Sequence, residues 1–315
     1  MRTVRLVVPA LVVLSACGGN WSNRDLDFVS ALPERASLKS KIPTSRAQSS
    51  PLEGVATRRD GLAMVGAASQ AYAQAKKGST DFNGILDALL NVVDVVHKLP
   101  PTARTDTGRR WGPYADNKNP GTQFQLTINQ VDDQTFAWKI ESRPNGGDFI
   151  VLVDGGFKAS GSVKEGQGAL TVHVKDIKGK LALDEGFQAF DEIRIGYITD
   201  SYPHRVEMVF DLSPGGASKL SQVGYTYREQ ADKSGQIVFQ LAQPSSVESS
   251  LVQLTSVWSP NGAGSSTGEI LEGTYKNAKS NECWDSDFKV VWAKEDWAGG
   301  GEVGHQSDCV AVSGF

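Results

Sequence analysis

Apolar side chains recur at every second position over most of the chain after Thr122. Such alternation is typical of antiparallel strands that bury one face and expose the other. Glycine- and proline-rich clusters at residues 144–148 and 213–216 separate the alternating segments and predict turns. The pattern therefore predicts a large antiparallel meander of roughly ten to twelve strands. The alternating sets are Phe124, Leu126 and Ile128; Phe136, Trp138 and Ile140; Leu170, Val172 and Val174; Ile193, Ile195 and Tyr197; Val206, Met208, Phe210 and Leu212; Val223, Tyr225 and Tyr227; Ile237, Phe239 and Leu241; and Phe288, Val290 and Trp292.

The spacing of apolar residues is helical before these strands begin. Residues 60–77 are rich in alanine, with Asp60 as a plausible N-cap, and Gly78 predicts the end of that helix. A second helix is predicted from Ser79 or Thr80 to the proline pair that begins at Pro100. Together they predict a helical hairpin over residues 60–101, with one apolar face that must be buried.

The two patterns combine into one expectation for the fold. The chain is predicted to be mainly β with an N-terminal helical hairpin, and residues 102–315 are expected to form a large antiparallel meander. That meander would be a curled sheet or half-barrel packed on the helices. In architecture this resembles the half-barrel lipoprotein and lipid-carrier folds of bacterial envelopes. The resemblance implies that a lipid or another apolar ligand could lie between the sheet and the helices.

The first residues follow a third pattern. Arg2 and Arg5 precede an apolar run at residues 6–14, which is too short for a transmembrane helix but suits the core of a signal peptide. The run ends in Leu14-Ser15-Ala16-Cys17, which resembles the lipobox of bacterial lipoproteins. The resemblance implies a signal peptide over residues 1–16 and a lipid-anchored Cys17 carrying acyl chains such as palmitate. An ordinary signal peptide cut elsewhere, which would leave a free thiol, is the alternative.

The location of the protein follows from the same motif. More than one acyl chain is needed for stable anchoring, which a lipidated cysteine provides. Gly18 replaces the aspartate that retains many enterobacterial lipoproteins at the inner membrane, so the resemblance favours the outer membrane of the cell envelope. Residues 17–59 contain a polar stretch rich in Ser, Lys, Arg, Gln and Pro. They are predicted to form a flexible tether that lifts the folded part off the membrane.

Composition narrows the possible partners. The net charge is −4, with 32 basic and 36 acidic residues, and no basic patch suggests nucleic-acid binding. The chain has 33 glycines, which suits a turn-rich β protein. After lipidation of Cys17, two cysteines would remain, and in an oxidising compartment Cys283 and Cys309 are expected to form a disulfide. A metal site that includes His305 is the alternative, although a closed zinc site needs four ligands.

Residues of the C-terminal region carry a further resemblance. The run Glu282-Cys283-Trp284-Asp285 and the later Asp308-Cys309 resemble the tail of uncharacterised proteobacterial envelope lipoproteins. That resemblance implies no known activity.

Candidate chemistry is sparse along the chain. The histidines His97, His173, His204 and His305 lie outside any recognisable nucleophile or metal motif, and surface roles are expected for them. Asp285 and Asp287 are spaced to share a calcium ion, but calcium needs six to eight oxygen ligands, so a solvated strand edge is the stronger interpretation. The sequence therefore predicts no enzyme, no catalytic residues and no cofactor.

Two functions remain open at this point. The first is a membrane-anchored envelope lipoprotein that binds an apolar ligand or lipid between sheet and helices. The second is a structural or protein-interaction lipoprotein with a filled core and no small-molecule ligand. The space between sheet and helices discriminates them: an apolar void favours the first, and a packed core favours the second.

Overall fold

The fold is one continuous antiparallel sheet with helices packed on one face. The structure, a computed structural model, describes residues 21–44, 64–96, 99–116, 120–181, 187–214, 221–244, 249–296 and 300–315. Each strand pairs with the next along the chain in the order β1 to β15, so β1 and β15 form the two edges of the sheet. The strands are β1 Ala103–Arg104, β2 Gly108–Ala115, β3 Gln123–Gln130, β4 Thr135–Arg143, β5 Ile150–Ser160, β6 Ser162–Val172, β7 Phe190–Ile198, β8 His204–Leu212, β9 Gln222–Glu229, β10 Gly235–Pro244, β11 Ser249–Trp258, β12 Gly264–Glu272, β13 Lys279–Trp284, β14 Val290–Glu295 and β15 Glu302–Gly304.

The predicted mainly-β meander is confirmed. In the described residues four α-helices accompany it: α1 Asn23–Ser30, α2 Arg35–Leu38, α3 Gln70–Val96 and α4 Val174–Ile177. One face of the sheet, here called the inner face, packs against α1 and α3 in the main apolar core. A smaller cluster of Tyr72, Trp284 and Phe288 lies at the beginning of α3. Most of the alternating residues of the sequence lie on the inner face, where Ile128, Ile193 and Ile237 are fully buried. Trp292 is an exception, because a register shift between β13 and β14 places it on the opposite face. The opposite, outer face carries the polar residues that alternate with them.

Several strands depart from strict alternation because glycines occupy inner-face positions. Gly155 lies opposite Trp138, Gly168 opposite Tyr197, and Gly235 opposite Trp258. A Cβ atom at Gly235 would lie 2.3 Å from the Trp258 ring, and one at Gly168 would lie 2.2 Å from the Tyr197 ring. The aromatic rings therefore lie across backbone that has no side chain of its own. This arrangement buries the large rings while keeping the strands paired.

The predicted helical hairpin over residues 60–101 is wrong. A single helix, α3, runs from Gln70 through Gly78 to Val96. Gly78 does not end it, because the Phe239 ring packs directly against this position: a Cβ atom there would lie 2.7 Å from the ring. Because Gly78 has no side chain, the sheet approaches the helix closely at this position, and the helix continues through it. The predicted N-cap at Asp60 lies outside the described residues.

The α3 helix begins where the sheet supplies its cap. The Tyr72 amide donates a hydrogen bond to Ser69 Oγ at 3.0 Å. Glu282 of β13 accepts hydrogen bonds from Ser69 Oγ at 2.5 Å and from the Ala71 amide at 3.1 Å. A carboxylate here also complements the positive end of the helix dipole. One end of α3 is thus fixed to a strand more than 200 residues away in sequence.

The predicted flexible tether over residues 17–59 is wrong for residues 21–44, here called the N-terminal strap. They contain α1 and α2 and pack on the inner face, with Phe28, Leu32 and Leu38 buried. The polar composition suggested a solvated segment, but these few apolar residues are enough to dock it onto the sheet and α3. Residues 17–20 and 45–59 of the predicted tether lie outside the described part of the chain.

Candidate functional site

The α3 helix lies on the inner face and contacts β10, β11 and β12. Its 27 residues extend over about 40 Å at 1.5 Å per residue. Phe82 projects into an aromatic group, with its ring centroid 3.7 Å from that of Tyr225, 5.5 Å from Phe210 and 6.1 Å from Phe239. Farther along the helix, Leu86, Leu90 and Val93 are also buried in the core. The helix therefore lies where an apolar ligand of a half-barrel would bind.

A second aromatic group holds the beginning of α3. The Tyr72 ring stacks on Phe288 with centroids 4.1 Å apart and tilts against Trp284 at 5.9 Å. Its hydroxyl donates a hydrogen bond to the Pro43 carbonyl of the strap at 2.7 Å. Burial raises the pKa of Tyr72 to about 12, so the hydroxyl stays protonated and keeps donating. Sheet, helix and strap meet at this one side chain.

The strap is fixed to the first strands by a buried ion pair. Asp25 is completely buried. Its carboxylate forms ion pairs with Arg109 Nε at 2.5 Å and with an Arg104 guanidinium nitrogen at 3.1 Å. Burial alone would raise the pKa of Asp25, but hydrogen bonds from Ser22 and the two guanidinium groups lower it to about 2. The Arg109 guanidinium also lies 4.5 Å from the centre of the Phe28 ring. Asp25 is therefore ionised across the physiological pH range.

Further polar contacts join the strap to α3. Asp87 forms ion pairs with Arg35 at 2.9 Å and Lys39 at 2.7 Å. The Lys39 hydrogen bond is the largest cause that lowers the pKa of Asp87, and burial opposes it. Asn83 and the Ser40 main chain exchange two hydrogen bonds, each of 3.0 Å. Strap and helix thus form one layer over the inner face of the sheet.

A buried carboxylate lies at the end of β9. Glu229 is 4 % exposed and accepts hydrogen bonds from the Tyr227 hydroxyl at 2.7 Å and from Lys233 Nζ at 2.8 Å. Burial opposes ionisation of Glu229, but these two donors, together with Lys41, hold its pKa below the usual range. His204 lies opposite Glu229 in the strand pairing. Burial lowers the pKa of His204, so its imidazole is mainly neutral near pH 7.

The outer face carries a cleft of about 520 Å³, here called the tail cleft. Its floor is formed by β12, β13 and β14, and its wall by residues of the C-terminal tail, residues 305–315. Cys283 and Trp292 lie opposite each other in the strand pairing and are buried, although they project from the outer face. The lining residues are Ser265, Ser266, Thr267, Asn281, Glu282, Cys283, Trp292, Lys294, Asp296, Gln306, Cys309, Val310 and Ala311.

The predicted disulfide is confirmed and holds the wall of this cleft. Cys283 of β13 and Cys309 of the tail are bonded, with their Cα atoms 5.6 Å apart. The end of the tail is fixed separately, because Gln230 Nε2 donates a hydrogen bond to the Gly314 carbonyl at 3.0 Å. The cleft is thus bounded by a segment that is fastened at two points. In the described part of the chain no group of three or more histidine, cysteine or acidic residues could hold a metal ion.

A second depression of about 500 Å³ lies on the outer face over β5 to β8. Its lining includes Gly156, Ala169 and Gly196, which pair in neighbouring strands and carry little or no side chain. Lys158 and Arg205 also line it. The Arg205 guanidinium is already paired with Glu207. This depression follows from a row of small residues on the sheet.

The other residues singled out in the sequence are dispersed. His173 pairs with Asp154 on the outer face. Asp285 accepts hydrogen bonds from the Asp287 amide at 2.9 Å and the Lys289 amide at 3.0 Å, which makes it a turn residue between β13 and β14. His305 is exposed at the start of the tail. Cys17 and His97 lie outside the described residues.

The tail cleft is not evident in the sequence. The cysteine pair was a usable signal, because a disulfide between a strand and a tail must lay that tail across the sheet. Nothing in the spacing of Asn281, Lys294 and Gln306 indicated that they line one cleft. These residues meet only because the tail folds back over the outer face.

Comparisons with known proteins add no relative. No family model, no curated protein and no solved structure matches the chain. Over the residues that the structure describes, none of the helices has the length and apolar character needed to span a bilayer.

Proposed function

We propose that this protein is an envelope lipoprotein, anchored through Cys17, that serves as a structural or protein-interaction module with a filled core. The observation that carries the proposal is the position of α3 and the strap on the inner face. A carrier of apolar ligands needs an apolar cavity, and here the corresponding surface packs against the chain's own Phe28, Phe82 and Leu86. Recognition is then left to the polar outer face.

The strap changes how the anchor would position this module. Ser22 caps α1, and Asp25 of the same helix is fixed to β1 and β2. Only four residues lie between Cys17 and Ser22, so five residue-to-residue steps join them. At the largest reach of a chain they span roughly 18 Å. A lipid on Cys17 would therefore hold the domain close to the membrane surface, with α1 and β1 nearest to it, instead of at the end of a long tether.

The filled core is tested by looking for apolar cargo. Residues 18–315 contain every described residue and would be analysed by native mass spectrometry after expression in the bacterial envelope. We expect the mass of the polypeptide alone and no uptake of small apolar probes such as benzene. Co-purifying lipid in stoichiometric amount would contradict the proposal and restore the ligand carrier.

A matched variant shows whether this assay can detect apolar binding. Leu86→Ala removes a side chain of α3 that is 1 % exposed and leaves an apolar cavity of the kind that stays dry and admits small apolar molecules. We expect the variant to bind benzene and the unaltered chain not to bind it. Equal binding by both would show that the inner face already has accessible space.

The anchor is tested separately with the full-length chain. Cys17→Ser should abolish incorporation of labelled palmitate and move the protein from the membrane fraction to the soluble fraction. Cys309→Ser is the control, because it removes a cysteine from the disulfide and leaves the lipobox intact. A Cys17→Ser chain that still carries label and stays in the membrane would refute lipid anchoring at this residue.

A further inference from the structure

We propose that the tail cleft binds a neutral saccharide. The proposal deepens the interaction function, because it names the class of partner that the outer face would recognise. Its volume of about 520 Å³ lies within the range of roughly 300–1,000 Å³ that is typical of small-molecule sites.

The floor of the cleft presents hydroxyl and amide groups in register. Thr267, Asn281 and Lys294 are paired side by side on β12, β13 and β14, and Thr267 Oγ1 donates to Asn281 Oδ1 at 2.8 Å. Ser265 lies in the neighbouring row, opposite Cys283. Gln306 of the tail adds a second amide from the wall. Hydroxyls and amides both donate and accept, as the hydroxyl groups of a sugar require.

The lining disfavours two other classes of small ligand, phosphate-rich molecules and acyl chains. Lys294 and Asp296 contribute opposite charges, and Glu302 lies 3.8 Å from the Lys294 ammonium group. A phosphate-rich ligand needs an excess of positive charge, which this lining lacks. An acyl chain would leave the lining hydroxyls and amides without hydrogen-bond partners, which is costly. A neutral ligand with many hydroxyl groups fits both conditions.

The strands beneath the cleft also disfavour an extended peptide. Strand addition requires an unpaired edge, but β13 pairs with β12 on one side and with β14 on the other. The main-chain groups of the floor are therefore used within the sheet. Recognition must therefore come from side chains.

The wall of the cleft is held in place before any ligand arrives. The Cys283–Cys309 disulfide fastens the middle of the tail, and the Gln230–Gly314 hydrogen bond fastens its end. A wall that is already ordered loses little conformational entropy on binding. Reduction of the disulfide should therefore weaken binding even though neither cysteine needs to contact the sugar through a polar group.

The experiment uses the full chain in detergent and two neutral probes, the tetramers of N-acetylglucosamine and of glucose. Saturation-transfer NMR with millimolar sugar is expected to show contact with at least one tetramer. Gln306→Ala alters an exposed tail residue and should leave the fold intact, while lowering the affinity about tenfold through a lost hydrogen bond. Asn281→Ala and reduction of the disulfide are expected to lower it as well.

The matched control is Gln167→Ala in the second outer-face depression, which should leave binding unchanged. No saturation transfer to either tetramer would overturn the proposal. Affinity that is the same in the unaltered chain, Gln306→Ala and Asn281→Ala would also overturn it, since the sugar would then lie elsewhere. Failure of the saccharide proposal is distinguishable from failure of the filled-core proposal. Sugar binding is measured by NMR at the outer face, whereas apolar cargo on the inner face is measured by native mass spectrometry.

Discussion

The inner and outer faces of the sheet are built from the same alternating strands, but the chain covers them differently. On the inner face, α3 and the strap cover the apolar residues and bring their own aromatic side chains into the core. On the outer face, the polar residues remain, and the C-terminal tail bounds a cleft over β12, β13 and β14. The strap and the 27-residue helix α3 cover one face, and the short C-terminal tail covers part of the other.

The difference separates stability from recognition in this molecule. The inner face holds the large buried rings and the buried Asp25–Arg109 pair, so substitutions there should act mainly on folding. Apart from its disulfide, the outer-face cleft is lined mainly by hydroxyl, amide and charged groups, so substitutions of those groups should act mainly on binding. Four predictions test this division, beginning with the largest expected effect.

Removing the buried carboxylate of the strap should be the most damaging change. Asp25→Ala leaves Arg109, which is only 5 % exposed, without its partner, and we expect a loss of about 3–5 kcal/mol in the free energy of unfolding. Asp27→Ala on the exposed side of the same helix is the control and should change it by less than about 0.5 kcal/mol. Urea unfolding measures both. Equal effects would mean that the strap is not fixed to the sheet through Asp25.

Opening the disulfide should have the next largest effect. The cysteines are 26 residues apart, and in the chain-entropy model a loop of this size stabilises the fold by about 3.5 kcal/mol. Cys283→Ser with Cys309→Ser should lower the free energy of unfolding by that order. Thermal unfolding with and without reductant gives the comparison. If the reduced chain kept its full stability, the tail would contribute nothing to the sheet.

The stabilising contribution of Asp25 should depend on pH with a definite sign. Its folded pKa of about 2 lies below its ordinary value of 3.8, so the contribution is complete above the ordinary value. It is lost as the pH falls from about 4 toward 2, because over this interval the unfolded state binds a proton at Asp25 more readily than the folded state does. The difference in unfolding free energy between the unaltered chain and Asp25→Ala should shrink over that interval. A difference that grows on acidification would contradict the ion-pair account.

Two glycines of α3 should respond in opposite directions to the same change. A Cβ atom at Gly78 would lie 2.7 Å from the Phe239 ring, so Gly78→Ala should cost about 1–3 kcal/mol. A Cβ atom at Gly84 would have no neighbour within 4 Å, so Gly84→Ala should stabilise the helix by about 0.5–1 kcal/mol. Chemical unfolding of both variants measures the pair. Stabilisation by both would show that α3 does not contact β10 at Gly78.

The sequence predicted the strands best where large apolar residues alternate, as in β4, β7 and β8. It missed or blurred β5 and β12, because glycines such as Gly155 and Gly264 replace apolar residues on the inner face. A glycine at these positions is explained only once the neighbouring tryptophan ring is known to lie over it. That information is carried by the strand pairing and is absent from the local pattern.

The helical segments show the same limitation of local sequence patterns. Gly78 has the local signature of a helix end, yet it lies within α3 because Phe239 needs its space. The strap has the local signature of a solvated segment, yet Asp25 and Phe28 find partners on β1, β2 and β4. In both cases a contact between distant parts of the chain overrides the local preference. The disulfide was predictable because the cysteine count left few other pairings.

Native-state hydrogen exchange of α3 tests the central claim most directly. If α3 fills the inner face permanently, its amides around Phe82 should exchange only by global unfolding, with the same free energy as the core strands β8, β9 and β10. Amides of α3 that exchange far faster than those strands would contradict the account, because the helix would then open away from the sheet and leave room for a ligand.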